Sequence, residues 1–307
     1  MKNIAPLFLL ILAITSCGRQ PKDNTFTNST VDSIETARPT GLLRGNTVKT
    51  RYQVPEGFHR VITEKGSFGE FLQNLPLHPQ GYPTHLFNGQ EKHTQISTSV
   101  INMDIDSVDL QQCADAIIRL RAEYLYQTRQ FDKIHFNFTN GFECNYMKWA
   151  QGFRVKTEGN KTRWYKAKEE EDYSYDTFRE YLLKVFEYAG TISLATELTS
   201  IPKEDLTVGT IILQPGSPGH AMIVVDMIEP NDSVDFYKGK GVLLAQSFMP
   251  AQEIEIVKGY YDELGMFSKI KYPKFFNNLW SPTRFKNTDD KFFTTAFYFE
   301  KPLFLTF

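Results

Sequence analysis

Apolar side chains return every three or four residues along two stretches of the chain, which is the spacing of one face of an α-helix. The first stretch predicts a helix over residues 106–127, with Asp106 or Ser107 as its N-cap. The second predicts a helix over residues 175–189, and a shorter helix is expected over residues 68–75. The apolar stripe of the 106–127 helix consists of Leu110, Cys113, Ile117, Leu120 and Tyr124.

Strand patterns dominate the later part of the chain. Residues 134–139 alternate with period two, which predicts a strand with Ile134, Phe136 and Phe138 facing inward. Because helices come first and strands cluster later, the order favours an α+β fold, with helices packed on an antiparallel sheet, over an alternating α/β fold. The remaining predicted strands, rich in β-branched and apolar residues, are 208–213, 221–228, 242–248, 254–257, 292–299 and 303–307.

The N-terminus has the layout of an export signal. Residues 1–16 combine Lys2 with an apolar stretch too short to span a bilayer. The segment Ile14-Thr15-Ser16-Cys17 resembles a bacterial lipobox, and that resemblance implies acylation of Cys17 and a lipid anchor in the cell envelope. The alternative is an ordinary cleaved signal with a cysteine near its end. Residues 17–50, rich in Thr, Asn, Ser, Gly and Pro, are expected to form a flexible tether, and residues 51–307 a single globular domain.

Composition excludes several classes of function. With 34 basic and 36 acidic residues the net charge is −2, which supplies no field to attract nucleic acid. Aromatic residues make up 14% of the chain, as expected for a domain with a real core. The motifs CxxC, HExxH, GxSxG and the P-loop are absent from the sequence, so neither a metal nor a cofactor is predicted.

The chain holds three cysteines, of which Cys113 and Cys144 remain once Cys17 is assigned to lipid. We expect these two not to be bonded, although two thiols in an exported protein leave a disulfide open. The apolar stripe predicts Cys113 as a small buried core residue. Arg119 and Arg121 lie two apart and cannot both face the core, so they are expected on the surface, with an arginine that lines the site as the alternative.

A sharper signal lies between residues 206 and 226. A short apolar strand leads into a Gly/Pro/Ser turn, and His220 stands where a second apolar strand begins, with Gly219 leaving room beside it. A third apolar strand is interrupted by the polar Gln246. A polar ring at a strand entry is well placed to face a cleft, although a strand-end histidine bonded to a turn explains it equally well.

This order of residues resembles the papain-like NlpC/P60 and CHAP cysteine hydrolases. The resemblance implies Cys113 as nucleophile, His220 as base and Gln246 as the group that orients the imidazole. It also implies a Cys113 thiol with a lowered pKa. The spacing between Cys113 and His220 is 107 residues, so a long insertion over about 130–200 would be required.

The whole body also resembles a family of Bacteroidota lipoproteins, domain of unknown function 4846, over roughly residues 60–300. That resemblance implies a Gram-negative envelope lipoprotein and no particular activity. Two functions stay open: a cysteine amidohydrolase acting on cell-wall peptides, or a non-catalytic lipoprotein that binds a peptide, a glycan or a protein partner in the envelope. The segments that carry the resemblance are 113–116, 120–125, 138–141, 216–221 and 245–252.

Overall fold

The apolar strands of the chain pair in one nine-stranded antiparallel sheet. The protein is described here by a computed structural model that covers residues 45–231, 240–258, 280–282, 292–294 and 296–307. β1 (Phe58–Arg60) pairs with β9 (His220–Pro230), and β12 (Ser281–Pro282) pairs with β10 (Gly241–Gln246). The main path of the sheet runs β2 (Ser97–Val100), β11 (Glu255–Val257), β10 (Gly241–Gln246), β9 (His220–Pro230), β8 (Ile211–Gln214), β15 (Leu303–Thr306) and β7 (Thr199–Ser200).

The helices precede most of this sheet in the chain. None of the helices among the described residues is long and apolar enough to cross a membrane. Because helices pack on an antiparallel sheet, the predicted α+β class is confirmed. The helices are α1 (Val48–Arg51), α2 (Phe68–Gln73), α3 (Cys113–Gln127), α4 (Tyr146–Ala150), α5 (Tyr175–Phe186) and α6 (Thr191–Glu197), with 3₁₀ turns at Phe131–Lys133 and Lys203–Asp205.

Strand β9 forms the centre of the core. Its residues from His220 to Ile228 are buried without a break, as expected for a strand covered on both faces. Helices α2 and α3 both pack against β9, and α3 also contacts β10. The one carboxylate within this run, Asp226, accepts from Arg60 Nε at 2.8 Å and from Gln73 Nε2 at 2.8 Å.

The segment between α3 and β7 folds outside the main sheet. It holds two separate hairpins, together with α4, α5 and α6. Ile134, Phe136 and Phe138 are all buried, which confirms their predicted inward direction. The first hairpin is β3 (His135–Asn137) with β4 (Glu143–Asn145), and the second is β5 (Phe153–Glu158) with β6 (Lys161–Lys166).

The prediction for the start of the long helix was wrong. Helix α3 begins at Cys113, not at Asp106. The Asp106 carboxylate accepts from Arg179 Nη2 at 2.6 Å instead of capping a helix. The helix start is held by Asp115, whose Oδ2 accepts from the Gln112 N–H at 3.1 Å. These side-chain contacts keep the preceding residues in a loop and leave Cys113 as the first helical residue.

Two further predictions need correction at the ends of elements. Helix α5 ends at Phe186, and Gly190 stands at the start of α6, a helix that the sequence pattern did not predict. The strand predicted over 292–299 is a hairpin of β13 (Phe292–Phe293) and β14 (Tyr298–Phe299). Thr294 closes its turn, since its hydroxyl accepts from the Phe297 N–H at 2.8 Å.

Candidate functional site

Cys113 occupies the first position of helix α3. The N–H groups of a first helical turn have no partner within the helix, so they remain available to other acceptors. Here the backbone N–H groups of Cys113, Ala114 and Ala221 lie near enough to the thiol to lower its pKa, although burial outweighs them. Because Ala221 directly follows His220, the structure brings the start of α3 and the start of β9 together.

His220 begins β9 at the end of the tight β8–β9 hairpin. It pairs with Gln214 across the hairpin, and its side chain is 1% exposed. Gly219 is required just before it, because a Cβ there would lie 2.4 Å from the Gly216 carbonyl oxygen and 2.6 Å from Thr191 Oγ1. The absence of a side chain at Gly219 therefore lets the strand entry pack closely against the start of α6.

The His220 ring is connected to a chain of buried polar groups. Its Nε2 lies 2.7 Å from Gln246 Oε1, and Gln246 Nε2 donates to Glu255 Oε1 at 3.0 Å. Lys92 Nζ donates to the same carboxylate oxygen at 2.6 Å, and Thr84 Oγ1 donates to Glu255 Oε2 at 2.9 Å. We call these five residues the histidine cluster.

Three aromatic rings surround the imidazole. The ring centroids of Phe297, Phe248 and Phe299 lie 4.7, 5.1 and 5.8 Å from that of His220. Burial lowers the pKa of His220 to about 4, an effect that the hydrogen bond to the Gln246 side chain only partly opposes. His220 is therefore a neutral imidazole at pH 7.

The Cys113 thiol is held in its neutral form as well. Burial raises its pKa, and the nearby Asp115 carboxyl raises it further, against the opposing effect of the backbone N–H groups. The expected lowering of the Cys113 pKa was therefore wrong, because desolvation outweighs the helix N-terminus. Burial also raises the pKa of Asp115 to about 8, so this carboxyl is mostly protonated at pH 7. Asp115 Oδ1 has no hydrogen-bond partner among the described residues.

The loop before Cys113 is fastened to the end of β10. Ser247 Oγ donates to the Gln111 carbonyl oxygen at 2.9 Å, and the Ala251 N–H donates to Asp109 Oδ1 at 2.6 Å. Ser247 directly follows Gln246, so these contacts link the position of Cys113 to that of the residue that bonds His220. Cys113 itself is partly exposed.

A second set of buried polar groups runs along α3. Arg119 is 0% exposed, so its predicted surface position was wrong. Its Nε donates to Glu123 Oε1 at 2.6 Å, and its Nη2 donates to Asp104 Oδ1 at 3.2 Å and to Tyr175 Oη at 3.1 Å. Arg119 Nη1 lies 3.3 Å from Gln111 Oε1. These five residues, Arg119, Glu123, Asp104, Tyr175 and Gln111, form the arginine cluster.

Arg121, the other arginine expected on the surface, is only partly exposed. Its guanidinium lies 5.1 Å from the Phe68 ring centroid and 5.1 Å from that of Phe307. A guanidinium in this position packs its planar face against aromatic surface. Neither arginine lies freely in solvent, because aromatic and acidic partners from other elements converge on this part of α3.

The two cysteines of the described chain are both free. Cys144 is fully buried in β4, and burial raises the pKa of its thiol. Among the described residues, no group of three His, Cys, Asp or Glu side chains could hold a metal ion. Cys17 lies outside the described residues.

Sequence reasoning selected Cys113, His220 and Gln246 and missed Glu255 and Lys92. The structure joins His220 to Gln246 directly and places Cys113 against Ala221. Glu255 carried a usable signal, because it interrupts the apolar strand 254–257 as Gln246 interrupts the strand before it. Lys92 carried none, since it lies in a loop far from Glu255 in sequence.

Comparison with known proteins identifies the family of the chain. The family described as Domain of unknown function (4846) matches residues 48–274, and the chain belongs to it. The comparisons with curated proteins and with solved structures gave no match.

Proposed function

We propose that this member of the family is an envelope cysteine amidohydrolase, with Cys113 as nucleophile and His220 as general base. One observation carries the proposal: a thiol at the first position of α3 lies against the N–H that follows His220, while His220 is held by Gln246 at 2.7 Å. Covalent acyl transfer requires a nucleophile within reach of a base that a third group orients, and the thiol of Cys113 lies near Ala221, the residue that follows this base.

The chemistry follows from these positions. Cys113 Sγ attacks the carbonyl carbon of an amide while its proton passes to His220. The imidazolium then gives this proton to the leaving amine as the carbon–nitrogen bond breaks, which leaves a thioester on Cys113. Water attacks the thioester with His220 as base, and the released thiolate takes the proton back. The N–H groups at the start of α3 are suited to stabilise the oxyanion of each tetrahedral intermediate.

The pKa directions define the kind of dyad. Because Cys113 has a raised pKa and His220 a pKa of about 4, the resting pair is thiol and neutral imidazole rather than thiolate and imidazolium. Proton transfer must then accompany attack on the substrate, as in general-base catalysis. We expect activity to rise with pH through the titration of His220 and to persist at neutral pH.

The N-terminal sequence supports a place for this chemistry. We propose that Cys17 is acylated and anchors the chain in the envelope of a Gram-negative bacterium, with the residues between Cys17 and α1 as tether. Peptidoglycan peptides are the amide substrates available there. The change Cys17→Ser should abolish labelling with radioactive palmitate and release the protein from the membrane fraction. A mutant that still sediments and still carries label would refute the anchor.

The hydrolase proposal is tested with soluble muropeptides and with iodoacetamide. Wild-type protein should release new amino termini from the muropeptides, and Cys113→Ala should not. In the alkylation experiment, peptide mapping reads both described thiols in one sample, and the buried Cys144 is the internal control. We expect His220→Ala to slow alkylation of Cys113 at pH 7 by about tenfold or more, since general bases contribute about 10²–10⁴-fold.

A second function is favoured by one specific observation. His220 is 1% exposed beneath aromatic rings, which suits a non-catalytic site whose polar chain only supports the fold. On that alternative the domain binds a peptide, a glycan or another envelope protein. It predicts no cleavage of muropeptides and equal alkylation of Cys113 with and without His220. That pair of results would replace the hydrolase proposal with the binding one.

A further inference from the structure

Glu255 closes the far end of the histidine cluster. Its Oε1 accepts from Gln246 Nε2 at 3.0 Å and from Lys92 Nζ at 2.6 Å, and its Oε2 accepts from Thr84 Oγ1 at 2.9 Å. Glu255 is 0% exposed, so water does not compete for these contacts. Lys92 closes the chain near solvent, with its side chain 16% exposed. The Glu255 carboxylate is therefore a buried group whose hydrogen bonds within the described part of the chain come from three named donors: Gln246, Lys92 and Thr84.

This carboxylate decides which way the Gln246 amide points. A primary amide has one accepting end and one donating end, whereas a carboxylate beside an ammonium group only accepts. The NH₂ of Gln246 must therefore face Glu255, and its carbonyl oxygen must face His220. The orientation of the Gln246 amide follows from its partner: Glu255 can only accept, so the donating end of the amide must face it.

The orientation of Gln246 in turn decides which nitrogen of His220 carries the proton. Since Gln246 Oε1 only accepts, His220 Nε2 must donate the hydrogen bond at 2.7 Å. A neutral imidazole holds a single N–H. Nδ1 is then the ring nitrogen with a free lone pair, and a proton from Cys113 would have to arrive there.

We propose that Glu255, fixed by Lys92, is a positioning residue that sets the tautomer of His220 through Gln246. The result is an unprotonated Nδ1 able to receive the proton of Cys113, and only this last step rests on the proposed function. Glu255 touches neither the substrate nor the reacting sulfur, and it acts through two intervening side chains. The histidine cluster thereby connects Lys92, which lies in a loop, to the choice of which ring nitrogen of His220 carries the proton.

The test reads the tautomer directly. The full chain labelled with ¹⁵N-histidine contains six imidazoles, and the His220 signals are assigned by their loss in His220→Gln. Long-range ¹H–¹⁵N spectra at pH 7 distinguish a protonated ring nitrogen from a bare one. In the wild type we expect Nε2–H and a bare Nδ1. An Nδ1–H form of His220 in the wild type would overturn the proposal without any variant.

Glu255→Gln is the informative variant, because it keeps the shape and removes the acceptor-only partner. A glutamine at 255 can donate or accept, so Gln246 becomes free to rotate, and an Nδ1–H signal of comparable intensity should appear. Lys92→Met should move the populations in the same direction, and Lys92→Arg should restore the wild-type pattern. Glu253→Gln is the matched control, because Glu253 accepts from His85 Nδ1 at 3.1 Å instead of contacting Gln246.

The outcomes separate this proposal from the hydrolase proposal. If Glu255→Gln shifts the tautomer and slows Cys113 alkylation, by less than His220→Ala does because part of His220 keeps a bare Nδ1, both stand. If the tautomer shifts and Cys113 is unaffected, Glu255 is a positioning residue and the dyad is wrong. If His220 keeps Nε2–H in Glu255→Gln and in Lys92→Met, the positioning role is overturned. Should Glu255→Gln fail to fold, the wild-type and Lys92 spectra still decide.

Discussion

The histidine cluster and the arginine cluster each centre on buried side chains, but their charges are balanced in different ways. Arg119 contacts its counter-charges directly, with Glu123 at 2.6 Å and Asp104 at 3.2 Å. In the histidine cluster the ion pair of Lys92 and Glu255 is separated from the imidazole by the neutral amide of Gln246. Arg119 is thus paired directly with carboxylates, whereas His220 is hydrogen-bonded to a neutral amide and is neutral at pH 7 because burial lowers its pKa.

Because of this difference, the arginine cluster is suited to stabilising the fold and the histidine cluster to proton transfer. A buried charge whose counter-ion is removed costs several kcal/mol, so the arginine cluster is sensitive to the loss of any one buried partner. A neutral imidazole that is bonded at one nitrogen can accept a proton at the other without losing its first partner. The comparison therefore predicts large stability effects in the arginine cluster and smaller stability effects with large changes in reactivity in the histidine cluster.

The strongest way to break the comparison is Arg119→Met. We expect a loss of about 3–5 kcal/mol in the free energy of unfolding, because Glu123 is left buried without its cation. Urea denaturation measures it, and Arg119→Met combined with Glu123→Leu should recover much of the loss. Arg121→Met is the matched control on the same helix. A loss below about 1 kcal/mol for Arg119→Met would mean that the arginine cluster contributes no more to stability than an exposed salt bridge does.

The next effect is that of Gln246→Ala. Removing the amide leaves the Nε2–H of His220 without its partner and takes away one of the three donors to Glu255, and an unsatisfied buried group costs about 1–3 kcal/mol. Alkylation of Cys113 should slow less than in His220→Ala, because the base remains although its tautomer is no longer fixed. The exposed Gln53→Ala serves as control. Equal stability of the two glutamine variants would contradict the description of the cluster.

Asp115→Asn sharpens the comparison at the start of α3 through pH. The folded chain holds the Asp115 proton up to a pKa of about 8, far above the ordinary value of 3.8. Between these values the folded state binds a proton that the unfolded state has lost, so Asp115 lowers stability as pH rises. Asparagine does not titrate. The advantage of the variant should therefore grow by about 1.4 kcal/mol per pH unit between pH 4 and 8.

Urea denaturation of both proteins across that range measures this slope, and Asp132→Asn at an exposed site is the control. The stability difference between variant and wild type isolates Asp115, because the contribution of His220, which has the opposite pH dependence, is the same in both proteins and cancels. The lowered pKa of His220 makes stability rise with pH between about 4 and 6.5 in both proteins. A difference that stays constant with pH would mean that Asp115 ionises in the folded chain as it does in water.

The sequence predicted what depends on local pattern and missed what depends on distant partners. Apolar runs are sufficient to locate β8, β9, β10 and β11, because a strand covered on both faces is apolar at most of its positions. The helix start was misplaced by seven residues, 106 against 113, because Asp106 and Asp109 bind groups far away in the chain. Arg119 was misplaced for the same reason, since its partners Asp104 and Tyr175 lie on other elements.

The candidate site follows the same rule. Cys113, His220 and Gln246 could be selected because each stands at an element end or interrupts an apolar strand. Their pKa directions could not be predicted, because desolvation depends on the aromatic rings that fold over His220 and on the packing around Cys113. Lys92 could not be found at all, because only the paired strands β10 and β11 bring Glu255 beside Gln246 and within its reach.

The smallest effect is expected at the outer end of the arginine cluster, with Asp104→Asn. The Asp104 side chain is 72% exposed, although it contacts Arg119 at 3.2 Å and Arg179 at 3.8 Å. Water screens an exposed carboxylate, and such pairs contribute about 0–1 kcal/mol. Lys92→Met, at the outer end of the histidine cluster, should cost more, because it leaves the fully buried Glu255 without its cation. Urea denaturation of both variants decides the order. A larger loss of stability for Asp104→Asn than for Lys92→Met would mean that water screens the Lys92 end more than the Asp104 end.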